Sequence, residues 1–144
     1  MQNSTLLSCD HTRDLGIEID GKLRFDQHFH NITKAAYQRV AVIFRGFASK
    51  DPKILILAFK IFVRPALEYC SNVWSPFRLK DIDGIEQVQR YFTRRLAGCN
   101  GLSYPERLEL FNLESLEIRR IKSDLIMYYK IIHKLIDIPV EIFF

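Results

Sequence analysis

One stretch near the N-terminus decides the fold: Phe25-Asp-Gln-His-Phe-His-Asn-Ile-Thr-Lys-Ala-Ala-Tyr-Gln-Arg-Val-Ala-Val-Ile-Phe-Arg-Gly-Phe47. Its apolar residues recur at steps of three and four, namely Phe25, Phe29, Ile32, Ala36, Val40, Ile43 and Phe47. That spacing places them along one side of an amphipathic helix. Asp26 is a suitable N-cap, and Gly46 lies where the helix should end. The stretch therefore predicts a long helix that buries one face.

A second helix is predicted directly downstream. Asp51 followed by Pro52 is typical of a helix start. The segment from Ile54 to Val63 is apolar almost all round, so we expect it to be the central helix. Pro65 lacks an N–H donor and should kink or end it. A helical stripe continues past that break through Leu67, Cys70, Val73 and Trp74.

Three further helices follow from spacing and capping signals. The first spans 81–97, with inward residues Ile82, Ile85, Val88, Phe92 and Leu96 and a stop at Gly98. Ser103 and Glu106 form a capping box that opens a short helix through Phe111. Ser115 caps a last helix reaching about residue 136. Its inward stripe is predicted to be Ile118, Ile121, Leu125, Tyr128, Ile132 and Leu135.

The N-terminal part differs from the rest. Residues from Leu15 to Ile19 alternate in polarity, which predicts a short strand, and Asp20-Gly21 predicts a hairpin turn. The partner strand is either missing or just upstream. We expect an irregular tail over 1–12, a β remnant over 13–24, a helical domain over 25–137 and a C-terminal tail over 138–144. The predicted fold class is all-α, a bundle of about five helices with a short N-terminal strand or hairpin remnant.

Composition narrows the classes of function. Hydrophobic residues make up 48% of the 144, so the chain should fold, and the formal charge of +4 mildly favours anionic partners. Cys9, Cys70 and Cys99 lie far apart without a CxxC pair, so neither a disulfide framework nor a zinc site is expected. No signal peptide is recognisable at the start. The longest apolar run is about half of what a membrane span needs, so no membrane partner is expected.

Catalytic motifs are not recognisable in this sequence. Asp14, Glu18 and Asp20 are the nearest approach to a metal site, but solvent-facing acids beside a turn explain them better. There is no recognisable nucleophile turn, HExxH motif or phosphate-binding glycine loop. We therefore predict no catalysis, no cofactor and no metal for this chain.

Basic residues on two predicted helices suggest a different role. Arg90 and Arg94, with Arg95 beside them, lie opposite the apolar stripe of the helix over 81–97. On the last helix Arg119, Lys122, Lys130 and His133 fall on roughly one side. Two such faces can straddle a phosphate backbone. The alternative is ordinary solvated faces, with Arg94 and Arg95 favoured by the helix dipole alone.

Nine strings in register resemble the region after the catalytic palm in non-LTR (LINE-like, jockey-like) retrotransposon reverse transcriptases. They are Asp14-Leu-Gly-Ile-Glu-Ile-Asp20, Leu23-x-Phe-x-x-His28, Ile32-x-Lys-Ala35, Val63-Arg-Pro-Ala-Leu-Glu-Tyr69, Val73-Trp-Ser-Pro76, Ile85-Glu-x-Val-Gln-Arg-x-Phe-Thr-Arg94, Leu102-Ser-Tyr-x-Glu-Arg-Leu108, Leu113-x-Ser-Leu-Glu-x-Arg-Arg120 and Asp124-Leu-Ile-x-x-Tyr-Lys130. Each string is weak alone, and together they extend over about 115 residues.

The resemblance implies a thumb, the helical part that holds the template–primer duplex, here an RNA–DNA duplex bound weakly and without sequence preference. Leu15 and Gly16 match a primer-grip-like element. The candidates for backbone contact are Arg90, Arg94, Arg95, Arg119 and Arg120, to which the basic stripe adds Lys122. The family's catalytic aspartates would lie upstream, so the chain would be a non-catalytic fragment. Its parent would be an RNA-directed DNA polymerase that needs Mg²⁺, and its partners the missing palm and fingers. The resemblance also implies an intracellular location, in the nucleus or the cytoplasm.

A rival function is a protein-interaction or self-associating helical remnant. Separated from a palm, the chain should expose apolar surface around Leu15, Ile17, Ile19 and Trp74. Trp74 and Phe92 are nevertheless better explained as core residues than as stacking platforms for bases. Glu68 is expected to pair with Arg64, one helical turn away.

Overall fold

The N-terminal segment forms a complete β-hairpin. In a computed structural model, which describes residues 10–136, β1 (His11–Asp14) pairs antiparallel with β2 (Ile17–Asp20), His11 opposite Asp20. Leu15 and Gly16 join them with φ angles of 45° and 89°, as a two-residue type I′ turn requires. The partner strand thus lies just upstream, partly inside the predicted tail. Asp20-Gly21 does begin a turn, since the Leu23 N–H donates to the Asp20 carbonyl at 2.9 Å, but this turn follows β2 and is not the predicted hairpin turn. The strand predicted from Leu15 to Ile19 corresponds to β2, which begins at Ile17. The remainder of the tails predicted over 1–12 and 138–144 lies outside the described residues.

Asp20 ends the hairpin and shapes the loop that leads into the first helix. Its carboxylate accepts backbone hydrogen bonds from Lys22 (2.9 Å), Arg24 (3.0 Å) and Phe25 (2.8 Å). Burial opposes ionisation of this carboxyl, but the three N–H donors and the Arg24 charge outweigh it, and the pKa of Asp20 is lowered. Asp20 is therefore a loop-organising residue.

The long first helix forms as its spacing predicts. Helix α1 (Asp26–Gly46) begins after Phe25, which has a left-handed backbone, so Asp26 is the first helical residue and not the N-cap. All seven residues of the predicted stripe are buried or half-buried. The prediction of one buried face is confirmed.

The second helical segment continues past Pro65 instead of ending there. Helix α2 (Pro52–Ala58) starts at Asp51, whose side chain accepts a hydrogen bond from the Lys53 N–H at 2.9 Å. A π-helical turn (Phe59–Val63) follows, then α3 (Arg64–Glu68). The wide turn directly precedes Pro65, where the regular hydrogen-bond ladder lacks a donor. The helical run ends at Glu68. Cys70, with a left-handed backbone (φ 52°), then precedes the single turn α4 (Ser71–Trp74).

Three more helices complete the bundle. Helix α5 (Leu79–Arg94) runs parallel to α1, since Arg78 contacts Asp26, Tyr91 contacts Tyr37 and Arg95 contacts Phe44. The capping box of Ser103 and Glu106 opens α6 (Tyr104–Leu110). Ser115 caps α7 (Leu116–Ile132) by accepting a hydrogen bond from the Ile118 N–H at 3.2 Å. The fold is an all-α bundle preceded by a short hairpin, as predicted.

One core joins these elements. Trp74 and Phe92 lie inside it, 1% and 0% exposed, and the Phe92 ring stacks on Phe59 at 4.4 Å between centroids. Both core predictions are confirmed. Ile17 is also buried, so the apolar surface predicted around Ile17 and Trp74 is wrong and only Leu15 of that group is fully exposed.

Two helices expose apolar residues that the sequence had placed inside. On the segment predicted to be central, Ile54, Leu57, Ile61 and Phe62 reach solvent because only one side contacts the bundle. The entire predicted inward stripe of the last helix is exposed: Ile118, Ile121, Leu125, Tyr128, Ile132 and Leu135. Instead α7 buries Leu116, Arg120 and Ile131.

Across residues 10–136, no helix is long and apolar enough to cross a membrane.

Candidate nucleic-acid interface

Exposed cations and aromatic rings meet where α1 lies beside α5. The Tyr37 and Tyr91 rings contact each other edge to face at 5.5 Å between centroids. The Arg95 guanidinium lies 4.4 Å from the centroid of the Phe44 ring, and its Nη1 donates to the Tyr91 hydroxyl at 2.5 Å. These contacts hold the Arg95 guanidinium against aromatic side chains at the protein surface.

Three further cations flank this pair of rings. Arg94 follows Tyr91 by three residues and therefore lies on the same side of α5. Lys34 precedes Tyr37 by one turn, and Arg45 follows it by about two turns. We call this set the α1–α5 surface, and its members are Lys34, Tyr37, Arg45, Tyr91, Arg94 and Arg95.

The α1–α5 surface is positively charged with little compensation. Lys34, Arg45 and Arg94 have no ion pair among the described residues. The acidic residues of both helices, Asp26 on α1 and Asp81, Asp83 and Glu86 on α5, lie in their N-terminal halves. Beyond Asp26 on α1 and beyond Glu86 on α5, these two helices therefore carry cations and no carboxylate.

Arg90 is more restrained than its neighbours Arg94 and Arg95. Its Nη1 contacts the Asp83 carboxylate at 2.6 Å, and its guanidinium lies 5.0 Å from the centroid of the Tyr104 ring. Both contacts hold the Arg90 side chain along α5. It adds charge near the α1–α5 surface but would have to exchange Asp83 for a phosphate.

Two of the basic residues predicted to contact nucleic acid from α7, Arg119 and Lys122, form ion pairs with carboxylates of the protein itself. Arg119 donates to both oxygens of Glu68, at 2.5 and 3.0 Å, and Lys122 contacts Glu114. Arg64 is the predicted partner of Glu68, but its Nε lies 3.9 Å from Glu68 Oε1, a longer contact than those of Arg119. The hydrogen bonds with Glu68 raise the pKa of Arg119, whereas burial, and then the Arg119 charge, lower the pKa of Arg64. The Arg119–Glu68 pair joins α7 to α3.

Arg120 is buried, which is incompatible with contact to a nucleic-acid backbone in this conformation. The residue is 2% exposed, and neither terminal guanidinium nitrogen has a hydrogen-bond partner in the described part of the chain. Burial lowers the pKa of Arg120, while the charge of Glu86, first among four nearby carboxylates, opposes the shift. Arg120 also lines a surface pocket of about 380 Å³ beside Arg119 and Lys122.

Glu86 is a structural residue that sequence reasoning did not single out. Its carboxylate is 4% exposed and accepts hydrogen bonds from the Leu116 and Glu117 N–H groups, 3.2 Å each, and from the Tyr104 hydroxyl. Burial, and then the hydrogen bond to Glu86, raise the pKa of Tyr104. The signal was present in the sequence, since Glu86, Gln89 and Thr93 recur at helical spacing beside the apolar stripe.

The sequence analysis also missed Lys34, Tyr37 and Arg45 of the α1–α5 surface. Their helical spacing on the outer side of α1 was a usable signal. The sequence does not reveal that α5 lies beside α1, because Tyr91, which contacts Tyr37, is 54 positions further along the chain.

The primer-grip-like residues sit at the tip of the hairpin. Leu15 is 81% exposed, and a Cβ at Gly16 would lie 3.9 Å from Tyr69 Cε1. They form a turn facing solvent, apart from the cations that the structure groups between α1 and α5.

The acidic residues of the hairpin do not converge. Asp14 and Glu18 are in different strands, with Glu18 opposite Arg13, and Asp20 is occupied by backbone donors. No cluster of three or more potential metal ligands occurs over residues 10–136.

Comparison with known proteins gives one informative similarity. No protein-family model matches the chain, and no solved structure matches it. The chain is similar to an uncharacterized protein of Caenorhabditis elegans, B0403.1, with 28% identity over 122 residues. The alignment covers 83% of this chain but 62% of the nematode protein, so the chain spans less than two thirds of that relative's length.

Proposed function

We propose that this chain is a thumb-like helical module of a non-LTR retrotransposon reverse transcriptase, one that grips a template–primer duplex through its backbone. The observation that carries the proposal is the α1–α5 surface, where four cations surround two exposed tyrosines beyond the last acidic residue of each helix. The order of the nine matched strings supports the same conclusion. The chain is not catalytic by itself in this proposal. The palm of its parent, an RNA-directed DNA polymerase, would bind the Mg²⁺, and the whole would act inside the cell with access to chromosomal DNA.

Backbone contact is the mode of binding that these side chains favour. Arginine and lysine neutralise phosphates and release condensed counterions, which gives affinity without reading the base sequence. The tyrosine rings offer flat apolar area between the cations, suited to sugars or to unpaired bases at a duplex end. The end of each helix favours cations through its dipole whatever the function. The proposal therefore depends on the cations and the rings together.

Arg94 and Arg95 are expected to contribute most among the six candidates. Arg94 forms no ion pair with a carboxylate over residues 10–136, and Arg95 is pre-positioned by its aromatic contacts. Arg90 should contribute less because of Asp83. Arg119 and Lys122 would have to leave Glu68 and Glu114, and Arg120 would have to leave the interior.

The test is binding of a labelled RNA–DNA duplex by the purified chain across a salt series. Each lost phosphate contact lowers the slope of log K against log salt by roughly 0.9. The pair Arg94→Gln/Arg95→Gln should therefore reduce the slope by about 2 and abolish measurable binding near physiological salt. Changing the duplex sequence should leave the affinity of the wild-type chain unchanged.

A matched control removes the same charge elsewhere. Arg13 on the hairpin and Lys22 in the loop after it are exposed, and the pair Arg13→Gln/Lys22→Gln also lowers the net charge by two. If both pairs weaken binding equally, the attraction comes from net charge alone and the α1–α5 surface is not the site. Absence of binding at low salt by a folded wild-type chain would refute the proposal itself.

The runner-up is a protein-interaction or self-associating module. Its predicted surface around Ile17 and Trp74 is buried, which removes the original reason for it. The exposed apolar face of α7 now favours it instead, and that face does not belong to the α1–α5 surface.

A further inference from the structure

The exposed face of α7 carries a heptad pattern. Apolar residues follow one another at alternating steps of three and four over the length of the helix. This α7 seam consists of Ile118, Ile121, Leu125, Tyr128 and Ile132, which are 48%, 51%, 62%, 52% and 42% exposed. The strict alternation gives a period of 3.5 residues, which is the pattern of a coiled-coil seam, narrower than the broad stripe of a helix packed in a globular core.

Within residues 10–136, α7 packs on the bundle through another side, which leaves the residues of the seam 42–62% exposed. Leu116 and Arg120 lie against the bundle, and Asp124 accepts a hydrogen bond from Asn72 of α4 at 2.8 Å. On a helical projection with 100° per residue, the seam lies roughly 140° from the side that carries Leu116 and Arg120. The apolar side chains of the seam thus face away from the core that orders the helix.

We propose that the α7 seam is a dimer interface, and that its occupant is α7 of a second copy of this chain in a parallel coiled coil. In heptad terms Ile118, Leu125 and Ile132 are at a positions, and Ile121 and Tyr128 are at d. A parallel pair places each residue of the seam beside its own counterpart, so the apolar stripe is complementary to itself.

Charges beside the seam favour the parallel pairing of two copies. Glu117 occupies the g position before Ile118, and Lys122 occupies the e position after Ile121. In a parallel dimer each Glu117 faces Lys122 of the second copy, an opposite-charge g–e′ pair that occurs twice by symmetry. Lys122 already contacts Glu114 of its own chain and would share its charge between the two carboxylates.

The size of the seam makes the dimer weak but feasible. Roughly two heptads bury less than the 1,200 Å² or so of a standard-size interface, so association should be reversible. An isolated peptide of this length would first have to fold into a helix, which opposes pairing. Here α7 is already ordered by its contacts with α3, α4 and α5, so dimer formation avoids that loss of entropy.

The test is sedimentation equilibrium of the purified chain at concentrations up to about 100 µM, a range that detects weak dimers. The wild-type mass should rise from monomer toward dimer. Leu125→Glu places two carboxylates opposite each other at an a position and should weaken association by about tenfold or more. Ile126→Glu is the matched control, because Ile126 is the next residue, is 56% exposed and lies off the seam. It should change the dissociation constant less than about twofold.

The parallel arrangement has its own readout. In a chain with Cys9→Ser and Cys70→Ser, the variant Ile118→Cys should form an intermolecular disulfide on mild oxidation. Position 126 changed to cysteine should not. A wild-type chain that stays monomeric over the whole range, or an equal loss of association in both glutamate variants, would overturn the proposal. A dimer in which Ile118→Cys never cross-links would overturn the parallel alignment. The duplex-binding experiment changes other residues, so the two proposals fail separately.

Discussion

The buried carboxylate of Glu86 holds three elements of the bundle at one point. It accepts hydrogen bonds from the N–H groups of Leu116 and Glu117, at the start of α7, and from the Tyr104 hydroxyl of α6. Arg120 supplies a nearby opposite charge in the same interior region. Replacing Glu86 with glutamine keeps the shape of the side chain and removes its charge, and we expect this change to destabilise the fold markedly.

The magnitude follows from the groups that lose a partner. A glutamine amide keeps one acceptor oxygen but turns an NH₂ group toward one of the two backbone donors, so one of three hydrogen bonds is lost outright. A hydrogen bond to a charged group contributes about 1.5–3 kcal/mol, and an anion at a helix N-terminus adds about 0.3–1 kcal/mol. Glu86→Gln should therefore lower the free energy of unfolding by about 2–4 kcal/mol, a large part of the total for a domain of this size.

Urea unfolding followed by circular dichroism at 222 nm measures this change. Glu109→Gln, on the exposed side of α6, removes the same charge and should stay within about 0.5 kcal/mol of wild type. Tyr104→Phe removes only the hydroxyl and should lower stability by about 1 kcal/mol. If Glu86→Gln lowers stability by less than about 1 kcal/mol, water or side-chain movement replaces these bonds and the assigned role is wrong.

Three further predictions test local features. Burial lowers the pKa of His28 from its ordinary value of 6.5 in the folded chain. The neutral imidazole therefore favours the folded state above pH 6.5, and this part of the stability is lost as the pH falls below 6.5. His28→Asn should accordingly lose less stability than wild type between about pH 7.5 and 5.5 in urea titrations, and an unchanged difference would refute the assignment. Gly16→Ala should lower the free energy of unfolding by about 1 kcal/mol because the φ of Gly16 is +89°. Gly84→Ala inside α5 should raise the free energy of unfolding by up to about 1 kcal/mol. A change of the same sign in both variants would contradict the turn geometry. A thiol reagent should modify exposed Cys70 quickly and buried Cys99 only on unfolding, since burial also raises the pKa of Cys99; equal rates by mass spectrometry of the two peptides would place Cys99 at the surface.

The helices were predictable because their signals are local. Periodicity located α1 and α5, and the capping residues Asp51, Ser103 and Ser115 marked three starts that the structure confirms. The hairpin turn was misplaced because Asp20-Gly21 is a strong turn signal, while Leu15 is an unusual residue at positive φ. The Asp20 side chain satisfies the backbone N–H groups of the following loop instead.

Burial was less predictable than helicity. The stripe through Ile118 and Leu125 was found correctly as a stripe, and only its direction was wrong. A repeat of apolar residues shows that a helix has an apolar side, but what covers that side depends on the whole arrangement of elements. The same limit applies to Phe62, which was assigned to a central helix and is half-exposed.

The ion pairs show why only part of the candidate site could be predicted. Arg94 and Arg95 are exposed as their helical positions suggested. Arg119 pairs with Glu68, 51 positions earlier in the chain, and no local pattern reveals a partner at that distance. The local alternative, Arg64 at one helical turn, was the natural expectation and is the weaker contact.

Most residues of the matched string in α5 hold the neighbouring helices in place and do not face a possible ligand. Gln89 donates to the Tyr104 hydroxyl at 3.0 Å and to the Glu114 carbonyl at 2.9 Å, and Thr93 accepts from Arg107 Nε at 3.2 Å. With Glu86 these residues fasten α6 and α7 to α5, so most of that string describes packing. Chains that share the string should therefore share this arrangement of helices even where duplex binding differs. Binding depends instead on exposed residues, several of which, Tyr37 and Arg45 among them, lie outside the matched strings. The decisive comparison is therefore between Arg94→Gln/Arg95→Gln, which should abolish binding with the fold intact, and Glu86→Gln, which should weaken the fold first.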